Sequence, residues 1–302
     1  MSWILIALGS AAASGVVSIF DKTVIHRYLD SPLSLPLLIG LIQTTMGLLP
    51  VVAMPWPEAT TLRAVAWGLG SGALWGISAA LLLRVLYSRE VSRTIPVYST
   101  FPIFAALMAV LFLGEDLTLY LWAAIVVTVS GAILLSVGFE GRYGGLVLHR
   151  SFFALMLASA VAGAAMVAAK VPLETLPLLN THGLRNLALG GVLLATSLRP
   201  AAIAELKRLV RQRSPALGFV ALNEMVLGQF SMFMTVWALS LGPASLVTTL
   251  IGTRSFFLVL YSTGLAMVFR GFLGEETAPR VVAVKLGSSA LIVAGVAAIG
   301  IS

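Results

Sequence analysis

Apolar stretches close to twenty residues long recur along this whole chain, separated by short polar links. At about 1.5 Å per residue, one such stretch spans the roughly 30 Å hydrocarbon core of a bilayer as an α-helix. No water satisfies the backbone there, so a spanning segment is either a helix or part of a closed barrel. The stretches lack the alternating pattern of roughly ten residues that marks barrel strands. The sequence therefore predicts an all-α membrane protein. Composition points the same way: 59% of residues are hydrophobic, only 10% are charged, and mean hydropathy is +1.01. A soluble domain carries about 25% charged residues.

Ten transmembrane helices are predicted, at 3–20, 35–54, 64–86, 95–113, 118–138, 152–170, 178–197, 216–239, 243–269 and 281–300. The links hold turn chemistry such as "DSPLSLP", "MPWPEAT" and "LGPAS". A cleaved leader is not expected. "AAA" at 11–13 has no basic residue before it, and the apolar run continues through Phe20.

Several chemistries are absent from the sequence. There is no cysteine, and His26, His149 and His182 are scattered, so no metal site and no cofactor is expected. No GxSxG, HExxH or carboxylate cluster lies in or beside the helices, which argues against an enzyme. No basic run interleaves with aromatics, so nucleic acid is not an expected partner.

The two halves resemble each other. "GVVSIFDK" at 15–22 and "GAAMVAAK" at 163–170 both end an apolar stretch on a lysine, Lys22 and Lys170. "FLGED" at 112–116 matches "FLGEE" at 272–276, and "VSGAILL" at 129–135 resembles "VAGVAAI" at 293–299. Residues 1–140 and 150–302 thus read as two copies of a five-helix unit. An odd number of helices gives the copies opposite orientations. Such inverted repeats are common in secondary transporters, with the substrate site between the copies near the midplane.

With these motifs in this order, the chain resembles the drug/metabolite transporter superfamily, EamA type. The "WALSLGPASL" stretch at 237–246 is similar to that family's link between the third and fourth helices of a repeat. The resemblance implies ten helices around a central cavity, working by alternating access on a small-molecule substrate. It also implies cytoplasmic termini.

The charge distribution predicts the opposite orientation. Alternate links place Lys22, Arg27, Arg89, Arg93, Arg142, Arg150, Arg199, Lys207, Arg208, Arg211, Arg213, Arg270 and Arg280 on one side. Only Arg63 and Lys170 fall on the side that holds both termini. The positive-inside rule then puts both termini outside the cytoplasm of a plasma or inner membrane. The segment "RPAAIAELKRLVRQR" at 199–213 reads as an interfacial helix, with Ile203, Leu206 and Val210 on one face, or as an orienting basic loop.

A charge at the bilayer centre costs about 2.5–3.5 kcal/mol on insertion scales, so embedded polar residues are candidates for function. Arg185 in "HGLRNLALGG" and its counterpart Gln43 in "LIQTTMG" suggest a shared cavity wall, where a guanidinium grips a carboxylate or phosphate. The other role open to Arg185 is snorkelling to the interface. Arg254 in "IGTRSFFLVLYS" resembles the basic pair of the sugar-phosphate and nucleotide-sugar branch, with Thr253 at the first position of that pair. Glu224, with Asn223 and Gln229, forms a polar patch. Glu224 either pairs with an arginine or carries a coupling proton. Lys22 and Lys170 are cavity-mouth or snorkelling lysines, and Glu174 is within pairing range of Lys170. Tyr98 and Ser99, between Pro96 and Pro102, mark a break that lines a cavity. Glycines 68, 70, 72 and 76 predict close helix packing.

The expected function is secondary transport of a small anionic or zwitterionic metabolite, with protons as a possible partner. The alternatives are a flippase for a lipid-linked phosphate headgroup and an exporter of amino acids or drugs. A tag at either terminus is expected to be labelled by an impermeant reagent in intact cells, and one inserted at 142–149 is not. The reverse pattern would place the termini inside, as the family resemblance implies.

Overall fold

The computed structural model describes residues 2–88, 97–136, 150–258, 260–261 and 279–301. Pro96 and the second "FLGEE" turn lie outside the described residues. The helices are α1 (Ser2–Tyr28), α2 (Ser34–Ala53), α3 (Leu62–Ser88), α4 (Phe101–Met108, continued by a π-helical turn Ala109–Leu113) and α5 (Leu119–Ser136). They continue with α6 (Arg150–Ala168), α7 (Leu178–Ser197) and α8 (Pro200–Arg211). Then α9 runs through Pro215–Leu222, a π-helical segment Asn223–Gly228, and Gln229–Leu241. Last come α10 (Ala244–Gly252) and α11 (Pro279–Ile301). No strand occurs among the described residues.

Among the described residues, five helical spans are long and apolar enough to cross a membrane: α1, α2, α3, α9, and α6 with the turn after it. The pair α7–α8 also passes, but it is bent by 107°. Shorter apolar helices lie in α4, α5, α10 and α11. The protein is an integral, multi-pass membrane protein.

Several boundaries differ from the sequence expectation for local reasons. α1 runs on to Tyr28 because nothing breaks it before "DSP" at 30–32, so Lys22 lies within the helix, not at its end. The α7–α8 corner falls at "SLRP", where Arg199 is extended (φ −125°, ψ 150°), as suits a residue before proline. Pro102 sits in the first turn of α4, where its missing N–H costs no ladder bond. The predicted proline break within a helix is therefore a turn at Ser99 and Thr100 just before α4.

Packing crosses between the halves. α2 lies along α7, α3 against α6 and α7, α1 against α9, α4 against α6 and α10, and α5 against α11. Small residues bring these backbones together. A methyl group added at Gly47 would lie 2.3 Å from Leu187 N, and one at Gly190 would lie 2.4 Å from Thr44 N. In a bilayer such packing, not hydrophobicity, drives helix association.

The amphipathic α8 packs one narrow face against the bundle. Ala202, Glu205 and Leu209 are buried, while Val210 is 57% exposed. The reason is Glu205. Its carboxylate accepts from the Asp30 and Ser31 amides at 2.8 and 2.9 Å and from Ser34 Oγ at 2.5 Å. It thus satisfies donors at the start of α2 that a bilayer interface leaves bare.

A second charged clamp holds the "WALSLGPASL" turn between α9 and α10. The Lys170 ammonium donates to the Leu239 carbonyl at 2.9 Å and also to the Gly242 carbonyl. Glu115, from the "FLGED" turn, accepts from the amides of Ala244 (2.5 Å) and Ser245 (3.2 Å) and from Ser245 Oγ (2.5 Å). A cation therefore meets the carbonyl end of one helix and an anion the amide end of the next, each at the favourable pole of the macrodipole. Glu115→Ala is expected to destabilise the protein by about 1–3 kcal/mol, because two partly buried amides lose their acceptor. Glu115→Gln, which keeps one, loses less. Thermal unfolding of the purified variants in detergent measures both.

Candidate functional site

Two of the polar residues that the sequence embeds in the helices, Arg185 and Arg254, line one chamber. Its lining is Ser14 of α1, Trp75 of α3, Phe101 of α4, Met166 of α6, Arg185 of α7, Ser231, Met232 and Thr235 of α9, Ile251 of α10, and Arg254 just beyond it. About 50 Å³ is open to the centre of a water-sized sphere. That space takes a few waters but not a metabolite. In this conformation the chamber is nearly closed.

Arg185 is only 4% exposed, and its Nε has no hydrogen-bond partner. Its helix is held in place by α3: a methyl group added at Gly72 would lie 2.1 Å from the Arg185 carbonyl oxygen. Close backbone contact thus fixes the guanidinium's point of origin, and burial rules out the snorkelling role. Arg254 is partly buried, with its guanidinium carbon 5.4 Å from the centre of the Tyr98 ring. That is within the range of a cation–π contact. Tyr98 itself is buried. Its hydroxyl lies 3.3 Å from Ser78 Oγ, and its carbonyl accepts from Ser159 at 3.2 Å. Ser99 is buried beside it in the turn.

A hydroxyl seam joins α1 to α9 along the chamber. Ser10 bonds to Thr235 Oγ1 at 2.7 Å and donates to the Ser231 carbonyl at 2.9 Å, and Ser14 lies 2.6 Å from Ser231 Oγ. Each such bond is worth about 0.6 kcal/mol in a bilayer.

Beside the chamber runs a buried amide network. Gln43 Nε2 donates to Glu224 Oε2 at 3.0 Å, and Gln229 Nε2 donates to Gln43 Oε1 at 2.7 Å. Asn186 Nδ2 donates to Gln229 Oε1 at 2.6 Å. Asn223 Nδ2 donates to Asp21 Oδ1 at 2.8 Å. The π-helical segment of α9 contributes both Asn223 and Glu224, which are sequence neighbours, to this network. Such π segments are frequent at functional sites.

The structure therefore brings Gln43, Asn223, Glu224 and Gln229 together, and brings Arg185 and Arg254 to one chamber with Tyr98 against Arg254. Lys170 lies apart, on the helix carbonyls described above. The side chain of Lys22 lies outside the described residues. The hydrogen-bond partners of Glu224 are amides. Asp21, His182 and Asn186 escaped the sequence reading, although "NTHGLRN" places His182 and Asn186 four apart on one face of α7.

Among the helix-3 glycines, Gly68, Gly72 and Gly76 meet α7, whereas a methyl group at Gly70 would meet nothing within 4 Å. Gly72→Ala is therefore expected to destabilise by about 1–3 kcal/mol through overpacking. Gly70→Ala is expected to be neutral or stabilising by up to about 1 kcal/mol. A matched pair of thermal melts tests this, and equal effects would contradict the close α3–α7 contact.

A helical, multi-pass protein with a chamber between its spans has an architecture that suits moving small molecules across a bilayer. Comparison with known proteins narrows this. Residues 1–137 match the EamA-like transporter family. A Sinorhizobium protein described as an uncharacterized transporter in the cobO 3′ region is 26% identical over 142 residues, which are 45% of this chain and 97% of that protein. A protein of known crystal structure superposes with a TM-score of 0.69 at 17% identity, covering 98% of this chain and 96% of the other. That likeness shows a shared fold across nearly the whole chain. Residues 1–137 are thus similar to the EamA-like transporters, of the drug/metabolite transporter superfamily.

Proposed function

We propose that the protein is a secondary transporter whose central chamber takes a small anionic or zwitterionic metabolite by alternating access. The observation that carries this reading is that Arg185 and Arg254 line one chamber, with Arg185 Nε buried and unpartnered. A guanidinium kept from water without a carboxylate partner is costly. An incoming carboxylate or phosphate would supply the missing bonds, two in parallel, in a setting where charge-assisted bonds are strong. The apolar remainder of the lining (Trp75, Phe101, Met166, Met232 and Ile251) suits the organic part of such a molecule.

The proposed architecture is ten membrane helices in two inverted repeats, α1–α5 and then α6, α7, α9, α10 and α11, with α8 at the interface. The packing supports it. Exchanging each helix with its counterpart maps the pair α1–α9 onto α6–α3 and leaves α2–α7, α4–α10 and α5–α11 unchanged. A twofold relation in the membrane plane has that consequence. The nearly closed chamber is then one state of the cycle, and access requires the halves to part.

A thermal-shift screen of the purified protein tests the substrate class. Carboxylates, sugar phosphates or nucleotide sugars are expected to stabilise it, and simple amines are not. Arg185→Gln is expected to weaken binding about 10- to 100-fold, the equivalent of about 1.5–3 kcal/mol for a lost charge-assisted bond. Arg254→Gln weakens it less, because Arg254 is the more exposed. Stabilisation by cationic amines alone would exclude the anion reading.

A further inference from the structure

Most of the charge on α8 is unmatched. α7 lies along the spanning helix α2, so the 107° bend after it sets α8 across the end of the bundle, close to the membrane plane. Five basic residues fall on α8 and its two ends: Arg199, Lys207, Arg208, Arg211 and Arg213. Arg208 is engaged. Its Nη2 donates to Glu205 Oε1 at 2.9 Å and lies 2.8 Å from Asp30 Oδ2. The other four are exposed, and no carboxylate among the described residues pairs with them.

Two of these positions work against the helix itself. Arg199 is the residue that begins α8, at the positive pole of the macrodipole, where a cation is repelled. Arg213 follows the helix end in the left-handed region, at φ 49°. There the Ser214 amide donates to the Leu209 carbonyl at 2.9 Å, and the Arg213 amide to the Val210 carbonyl at 3.1 Å. These two bonds make a Schellman ending, whose left-handed position glycine fills without steric cost. Helix stability therefore accounts for neither arginine.

The remaining residues are ordered around the helix. At about 100° per residue, Ala202, Glu205 and Leu209 share the packed face. Ile203 and Val210 come next round the circumference, and Lys207 and Arg211 follow them. Val210 is exposed. Lys207 and Arg211 stand one turn apart as like charges, which destabilise a helix unless an anion lies between them. An apolar flank beside the bundle, with a basic edge beyond it, suits the level where acyl chains meet headgroups.

We propose that α8 is a binding site for anionic phospholipid of the leaflet in which it lies. One phosphodiester sits between Lys207 and Arg211, and Ile203 and Val210 rest on the acyl chains. The Arg211 fork meets two phosphate oxygens in parallel, while Lys207 acts as a point charge. Arg199 and Arg213 draw further headgroups to the two ends of the helix. Glu205 ties the site to the bundle, because its carboxylate holds the Asp30 and Ser31 amides at the start of α2. A lipid seated on α8 thus steadies a junction between the two halves of the chain. The site stands whether or not the chamber takes an anion.

The test titrates the full chain, in neutral detergent, with short-chain phosphatidylglycerol, and separately with short-chain phosphatidylcholine and inorganic phosphate. Thermal unfolding is the readout. Phosphatidylglycerol is expected to raise Tm, and phosphatidylcholine is not. Lys207→Gln and Arg211→Gln are each expected to raise the midpoint lipid concentration about fivefold, as for one basic residue near an anionic surface. Arg63→Gln, exposed at the start of α3, leaves it unchanged. Arg213→Gly separates lipid from fold: it raises Tm in detergent alone, by removing the strained residue, yet weakens the response to phosphatidylglycerol. A response that is unchanged in the Lys207 and Arg211 variants would overturn the proposal. So would a Tm rise with inorganic phosphate that those two variants abolish, since the seat would then be one for a free anion. Should the variants fail to fold, the absence of cysteine lets Val210→Cys carry a single spin label. In nanodiscs of phosphatidylglycerol the label is expected to collide with oxygen dissolved among the acyl chains and not with a water-soluble nickel complex. Collision with the nickel complex alone, or with neither because protein covers the face, overturns the lipid site as well.

Discussion

The chamber depends on how closely α7 lies against α2 and α3. Gly47 and Gly190 let the α2 and α7 backbones meet, and Gly72 does the same for α3 at the Arg185 carbonyl. Such contact leaves no room for water or lipid. The polar face of α7, with Asn180, Thr181, His182, Arg185 and Asn186 all buried, must therefore find its partners within the protein. Asn180 finds the Pro55 carbonyl, and His182 and Asn186 find Gln229 from α9 and, through it, Gln43 from α2. Arg185 Nε is among the atoms this arrangement leaves without a partner, and Arg185 lines the chamber. Widening the backbone contact would let lipid or water satisfy α7 and would remove the reason for the site.

Charge at the helix ends serves a different purpose. Glu205, Glu115 and Lys170 all meet backbone amides or carbonyls at turns. They fix where α2 begins and where α9 gives way to α10. The "FLGED" turn and the lysine that ends the "GAAMVAAK" stretch, which the sequence shows as separate repeat motifs, thus act on one and the same link. That gives a physical reason for the two features to occur together in a single chain.

The apolar periodicity fixed which segments would be helices, and their ends fell within a few residues wherever a proline or an "LGP" link marked them. α1 was read short because a lysine near the end of an apolar run looks like an anchor, while the helix continues until "DSP" stops it. Arg185, Arg254, Gln43, Asn223, Glu224 and Gln229 stood out because each is polar in an apolar helix. Their grouping was legible only in part, since sequence spacing relates residues on one helix and not across four. Asp21 was hidden by its place beside Lys22 at an apparent helix end. Glu205 was masked by the basic residues around it, and its role needed the fold of the Asp30–Ser34 turn to be seen.

The charge balance of the chamber follows from sorting these residues. The sequence alone counts three embedded cations against one acid. Lys170 leaves that count, because its charge is spent on helix carbonyls. Asp21 joins Glu224 in the network beside the chamber, since both accept from the Asn223 amide. Two arginines thus line the chamber, and two carboxyls lie next to it. On the anion reading proposed above, the charge on those carboxyls sets the field that an incoming anion meets, and linkage makes any effect of one on the other equal in both directions.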